Sequence, residues 1–157
     1  RIGRMGSNVR RARKVAGGFF GVAILATQAV IGDAPIEPPP TPMRLEPRAV
    51  NYSDMESDMP PWPEERVLAG HSEHRYKYLY SGDIDVAIYQ AKPMVLRIDN
   101  YDIDEFVLVV SGALILTADG GSPQKFEPGE SVLVPKGFTG TWEMQGEFRE
   151  LVVMMRE

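Results

Sequence analysis

An all-β fold, an antiparallel sandwich or barrel, is what this sequence predicts, and three observations carry the expectation. From Glu64 onward, apolar and polar residues alternate in short runs. Glycine and proline interrupt those runs at regular intervals, as turns between antiparallel strands require. No part of that region repeats its apolar residues with a helical period.

The expected elements follow in order. "RYKYLYS" (Arg75 to Ser81) alternates long polar and aromatic side chains, the pattern of a half-exposed strand. "IDVAIYQAKPMVLRID" (Ile84 to Asp99) reads as a strand interrupted at Pro93, which lacks the N–H a ladder needs. "EFVLVVSGALILTAD" (Glu105 to Asp119) is rich in β-branched residues, with Ser111-Gly112 at its middle as a bend or bulge. "GGS" (Gly120 to Ser122) is a hairpin turn. "QKFEPGE" leads into "SVLVPKG" (Ser131 to Gly137), where proline presets φ and glycine permits positive φ in a tight connection. "FRELVVMMRE" (Phe148 to Glu157) is expected as the last strand.

Two segments precede the strands, dividing the chain into residues 1–34, 35–63 and 64–157. "RRARK" (Arg10 to Lys14) followed by the uncharged, small-residue-rich run Val15 to Gly32 is the pattern of a cleaved export signal. The same run is long enough for a retained membrane anchor. Export to the periplasm or exterior is therefore expected, with membrane contact only if residues 1–34 stay attached. Residues 34–63 hold nine of the thirteen prolines, so neither a regular helix nor a central strand fits there. The first half reads as an extended linker, and the part from about Pro47 to Trp62 as an arm able to lie along a barrel.

Composition excludes several classes. Without cysteine there are no disulfides, thiolate nucleophiles or cysteine-ligated zinc. Residues 35–157 carry eleven basic against twenty-one acidic residues, so no nucleic-acid partner is expected. Neither a nucleophile elbow, a phosphate-cradling glycine loop nor a zincin motif occurs.

"DEFVLVVSGALILTADGGSPQKFEPGESVLVPKGFTGTW" resembles the paired motifs of the cupin superfamily. Glu105 and Gly112 reproduce the glutamate, six residues, glycine that end the first motif. Gly129, Pro135 and Gly137 reproduce the glycine, five residues, proline-x-glycine of the second. The ending "PKGFTGTWEMQGEFRELVV" is further similar to the small group around ureidoglycine aminohydrolase and the ethanolamine-utilisation cupin. The resemblance implies a jelly-roll barrel, commonly a homodimer, with a pocket in its wider end. It also implies three histidines and a glutamate around a metal, but the histidine slots fall at Asp99, Tyr101 and Gly140. Only Glu105 remains of that set, so a metal-free protein without a cofactor is expected.

The residues themselves offer two other sets of metal ligands. Asp99, Asp102, Asp104 and Glu105 cluster in "DNYDIDE", but strand alternation sends Asp102 and Asp104 away from Tyr101, Ile103 and Glu105. His71 and His74, with Glu73 in "HSEH", could chelate if helical; a surface position for both is the better fit.

Glu105, followed by "FVLVV", is expected to point into the barrel and is the candidate acid or base. Tyr101 and Arg97 are its expected partners. Together with Asp99 and Trp142 they form the candidate ligand-binding set, Trp142 serving as a stacking wall or as a core plug. Lys136 is expected at the surface. Two functions remain open: binding, with or without acid/base transformation, of a small polar metabolite, and a non-enzymatic dimeric barrel at the cell envelope. A cavity lined by Glu105 favours the first; an interior filled by Trp142, Tyr101 and Met144 favours the second.

Overall fold

In the computed structural model, residues 41–155 are described; the expected signal or anchor and the linker up to residue 40 lie outside them. Eight strands form one antiparallel system: β1 (Val67–Gly70), β2 (His74–Ser81), β3 (Ile84–Ala91), β4 (Met94–Ile98), β5 (Glu105–Ala118), β6 (Gln124–Phe126), β7 (Ser131–Val134) and β8 (Gly140–Met155). Single 3₁₀ turns at Tyr52–Asp54 and Glu64–Arg66 precede them. Among the described residues no helix is long and apolar enough to cross a membrane.

Two strands are long enough to serve both halves of the fold. The first part of β5 pairs with β7, and with the second part of β8, which continues to β3 and β2. The second part of β5 pairs with β6, and with the first part of β8, which continues to β4 and β1. The result is two five-stranded layers that share the bent pair β5–β8, with the core between them. The last strand thus begins at Gly140, eight residues earlier than the sequence suggests. "EMQGE" interrupts the apolar alternation there, while β4 and β5 hold that stretch on both sides.

The bend lies at Gly112, as expected. Its φ is +70°, and the β5–β8 register shifts between Val109 and Ser111 and again between Ser111 and Ala113. A Cβ there would sit 2.4 Å from the Gln145 carbonyl oxygen and 2.7 Å from the Phe148 Cα. Glycine is needed for both its handedness and its lack of bulk.

One layer turns Ala87, Ala91, Val107, Val109, Val134 and Val152 inward; the other contributes Met94, Leu96, Ile98, Leu114, Leu116, Trp142 and Met144. The segment before β1 wraps the β2 edge. Arg149 donates to the Val50 carbonyl at 2.7 Å, Arg75 donates to that of Met55 at 3.3 Å, and Arg75 stacks over Tyr52. Met55 is buried. Glu56 and Tyr76 exchange backbone hydrogen bonds of 2.7 and 3.1 Å, which cover part of an otherwise open strand edge.

Candidate functional site

Glu105 opens β5, opposite Val134 of β7 and Met154 of β8, and is 5% exposed. Its inward direction follows from the alternation with Val107 and Val109, both fully buried. The Tyr101 hydroxyl donates to Glu105 Oε2 at 2.5 Å. Tyr101 itself is pinned by the Pro-x-Gly turn: its N–H donates to the Phe138 carbonyl at 2.9 Å, and its carbonyl accepts from Gly137 at 2.6 Å. Asn100, in the left-handed region at φ +52°, turns the chain into that position. Asp104 faces outward and accepts from the Lys136 N–H at 2.9 Å, tying down the other side of the turn.

A second buried acid, unforeseen in the sequence, faces the same interior from β8, opposite Val109. Glu150 of β8 is 4% exposed, and its Oε2 has no hydrogen-bond partner among the described residues. It falls between Phe148 and Val152 on the inward parity of β8, the one signal that marks it in the sequence. Burial pushes the Glu105 carboxyl up to about 7, against the pull of the Tyr101 hydrogen bond, with Asp102's charge adding to the rise. Burial, then the charge of Glu105, raises Glu150 well above the ordinary carboxyl range. Each charge hinders the ionisation of the other.

A polar chain leads from this pair towards the surface. Burial raises the phenol of Tyr89 of β3, and the charges of Glu150 and Glu105 add to the rise. Its oxygen lies 3.0 Å from His74 Nδ1 and accepts from Trp62 Nε1 at 3.5 Å. His74 Nε2 faces the Pro60 carbonyl at 3.1 Å, which can only accept. In the neutral ring Nε2 therefore holds the proton and Nδ1 accepts from Tyr89. His74 is thus buried, contrary to the expected surface position, and desolvation lowers its pKa. It opens β2 opposite Ala91, whose side chain faces the core; His71, by contrast, is exposed.

Arg97 and Asp99 are not partners of the buried acid. Arg97 lies between the buried Leu96 and Ile98, so alternation turns it outward. There it forms two 2.6 Å hydrogen bonds to Asp119 and one of 2.8 Å to Asp99, closing the rim. Trp142 is buried in the opposite layer, and its ring centroid lies 5.8 Å from that of Tyr101 at 45°.

The positions for a three-histidine metal do not fit such an ion. Asp99 is exposed and paired with Arg97, and Tyr101 is committed to Glu105. A Cβ at Gly140 would lie 2.1 Å from the Thr117 carbonyl oxygen. The backbone of β5 fills the space a side chain would need. Among the described residues no group of three or more potential ligands could hold a metal ion.

Residues 81–150 match the family model described as the EutQ-like cupin domain. Those residues, from Ser81 at the end of β2 to Glu150 in β8, are thus similar to a cupin domain. Several solved structures are similar to the chain. A protein of unknown function from Pseudomonas syringae pv. tomato is 17% identical, with 71% of this chain and 46% of that one covered and a TM-score of 0.62. The chain thus spans about half that protein's length. The polyketide cyclase RemF from Streptomyces resistomycificus is 19% identical, with 73% and 81% covered and a TM-score of 0.53. The Clostridium difficile EutQ protein is 20% identical, with 53% and 68% covered and a TM-score of 0.47. At these identities the likeness to the first two concerns the fold alone. No curated protein matches the chain.

Proposed function

We propose that this cupin-like domain binds a small polar metabolite inside its barrel without a metal, with Glu105 as the anchoring carboxylate and candidate acid or base. The observation that carries this reading is the buried Glu105–Tyr101 hydrogen bond, with a second buried carboxyl, Glu150, facing the same interior. An isolated buried carboxyl lowers stability, so a pair of them in an apolar interior calls for a reason beyond folding. A carboxyl titrating near 7 also suits proton transfer at neutral pH. Tyr101 links the candidate residues, by its hydrogen bond to Glu105 and its ring contact with Trp142; Arg97 and Asp99 pair at the surface. The test is a thermal-shift screen of small polar metabolites on the wild type and on Glu105→Gln. A ligand that stabilises the wild type and loses most of that effect in the variant supports the reading. Equal shifts in both would overturn it.

A second reading has its own support. Trp142 and Met144 are buried and Tyr101 packs against them, as in a barrel filled for structure alone. Phe106 and Leu133 form an exposed apolar cross-strand pair suited to a homodimer. That reading predicts a dimer by light scattering and no ligand from the screen. Export through residues 1–34, with residues 35–63 as an arm, completes the proposal; N-terminal sequencing of the mature protein from the cell envelope tests it.

A further inference from the structure

Alternation on β5 turns Glu105, Val107 and Val109 inward, and so puts Phe106, Leu108 and Val110 on the outer face of the layer. The segment before β1 runs alongside them. The Ala49 N–H donates to the Glu46 carbonyl at 3.0 Å, and Arg149 donates to the Pro47 and Val50 carbonyls at 3.5 and 2.7 Å, so this turn is tied to β8. Between turn and strand lies a cleft of about 570 Å³, within the size range of small-molecule sites. Leu108 and Val110 line it from the strand, Pro47 and Ala49 from the turn. Gly129 lines it too, and a Cβ there would meet nothing within 4 Å, so that side is open. Beyond Leu108 the outward row continues to Phe106, exposed opposite Leu133.

The charge around this cleft runs against that of the chain. Residues 35–157 hold eleven basic and twenty-one acidic residues, whereas the cleft is lined by two arginines and one glutamate. Arg44 Nε lies 4.0 Å from Glu46 Oε1, so one charge of each sign is offset. Arg48 has no such partner among the described residues and is the cation in excess. An apolar floor with one excess positive charge selects among ligands. An organic cation would be repelled. A neutral alkyl molecule would strip water from Arg48 and replace none of its hydrogen bonds. A small bare anion would leave the floor wet. A carboxylate with an alkyl tail meets both demands, because a guanidinium can donate two parallel hydrogen bonds to it. We propose that this cleft, outside the barrel interior, binds a small amphipathic carboxylate, with its head on Arg48 and its tail along Val110 and Leu108 towards Phe106. The site is separate from the one assigned to Glu105 and does not depend on it.

The experiment is isothermal titration calorimetry of the full chain at neutral pH with four probes at millimolar concentration: sodium hexanoate, sodium acetate, 1-hexanol and hexylammonium chloride. Hexanoate should bind at least fivefold tighter than each of the others. Arg48→Gln should abolish most of its advantage over 1-hexanol while leaving the melting temperature unchanged, since Arg48 is exposed. Glu105→Gln should leave hexanoate binding as it is. Acetate as tight as hexanoate would reduce the cleft to a bare anion site, and 1-hexanol or hexylammonium as tight would remove the role of Arg48; each overturns the proposal. So would hexanoate that gives no heat, or that binds Arg48→Gln as well as the wild type. Hexanoate binding lost in Glu105→Gln but kept in Arg48→Gln would move the ligand into the barrel, where this inference falls and the Glu105 reading stands.

Discussion

Glu105 links burial to pH in a direction that can be worked out. Its folded pKa, about 7, lies above the ordinary carboxyl value of 4.5. The folded state therefore holds its proton more tightly than the unfolded chain. Its stabilising contribution is complete below about pH 4.5 and is lost as the pH rises through 7, amounting to on the order of 3 kcal/mol. Glu105→Gln can still accept the Tyr101 hydrogen bond but cannot ionise. Urea unfolding should show similar stabilities for the two proteins near pH 4.5 and a more stable variant at pH 8. A variant less stable than wild type at pH 8 would mean that Glu105 is held by a positive partner instead. Glu105 was readable because it opens an apolar alternating run. Glu150 sits in an equally regular run, but a lone acid between Arg149 and Leu151 looks like any half-exposed strand residue until the layers are closed. His74 failed for the complementary reason: nothing local shows that Pro60 and Tyr89 arrive from other segments to enclose it.

Each long strand does two jobs, and Gly112 marks where they change in β5. At Gly112 a side chain meets backbone at 2.4 Å as well as a positive φ; at Gly129, φ is +94° and nothing lies within 4 Å. Gly112→Ala should therefore cost about 3 kcal/mol or more, from left-handed strain plus overpacking. Gly129→Ala should cost only about 1–2 kcal/mol, the strain alone. Chemical denaturation of the two variants separates the contributions; equal losses would show that the β5–β8 contact is looser than drawn. The segment before β1 contributes as an element too. Met55 is 4% exposed although it lies outside residues 81–150, the span of the family match. Met55→Ala should cost about 2–4 kcal/mol, as for a core position. A loss below about 0.5 kcal/mol would mark the segment as an ornament on a barrel that folds without it. Alternation and the proline cluster made most strands and this segment legible. The start of β8 was not, because its polar "EMQGE" stretch is held by β4 and β5 rather than by its own pattern.

For the molecule as a whole, stability should not depend on a metal. Chelation with excess EDTA should leave the melting temperature unchanged, and elemental analysis of protein purified without chelators should find no stoichiometric Mn, Fe, Ni or Zn. A chelator-sensitive transition would contradict the closed packing at Gly140, where β5 backbone fills the room for a ligand side chain.

By itself the sequence determined the fold class, the turns, the bend at Gly112 and the inward direction of Glu105. All of these depend on residue type and on spacing along one strand, which local sterics and the period of a β-strand decide. Only the tertiary structure decided which groups meet. It turned Glu150 into the interior that holds Glu105, sent Arg97 to the rim, enclosed His74 and shut the Gly140 slot. Those are contacts between segments tens of residues apart, made when two layers close over one interior. No spacing along a single strand specifies the distance across that gap.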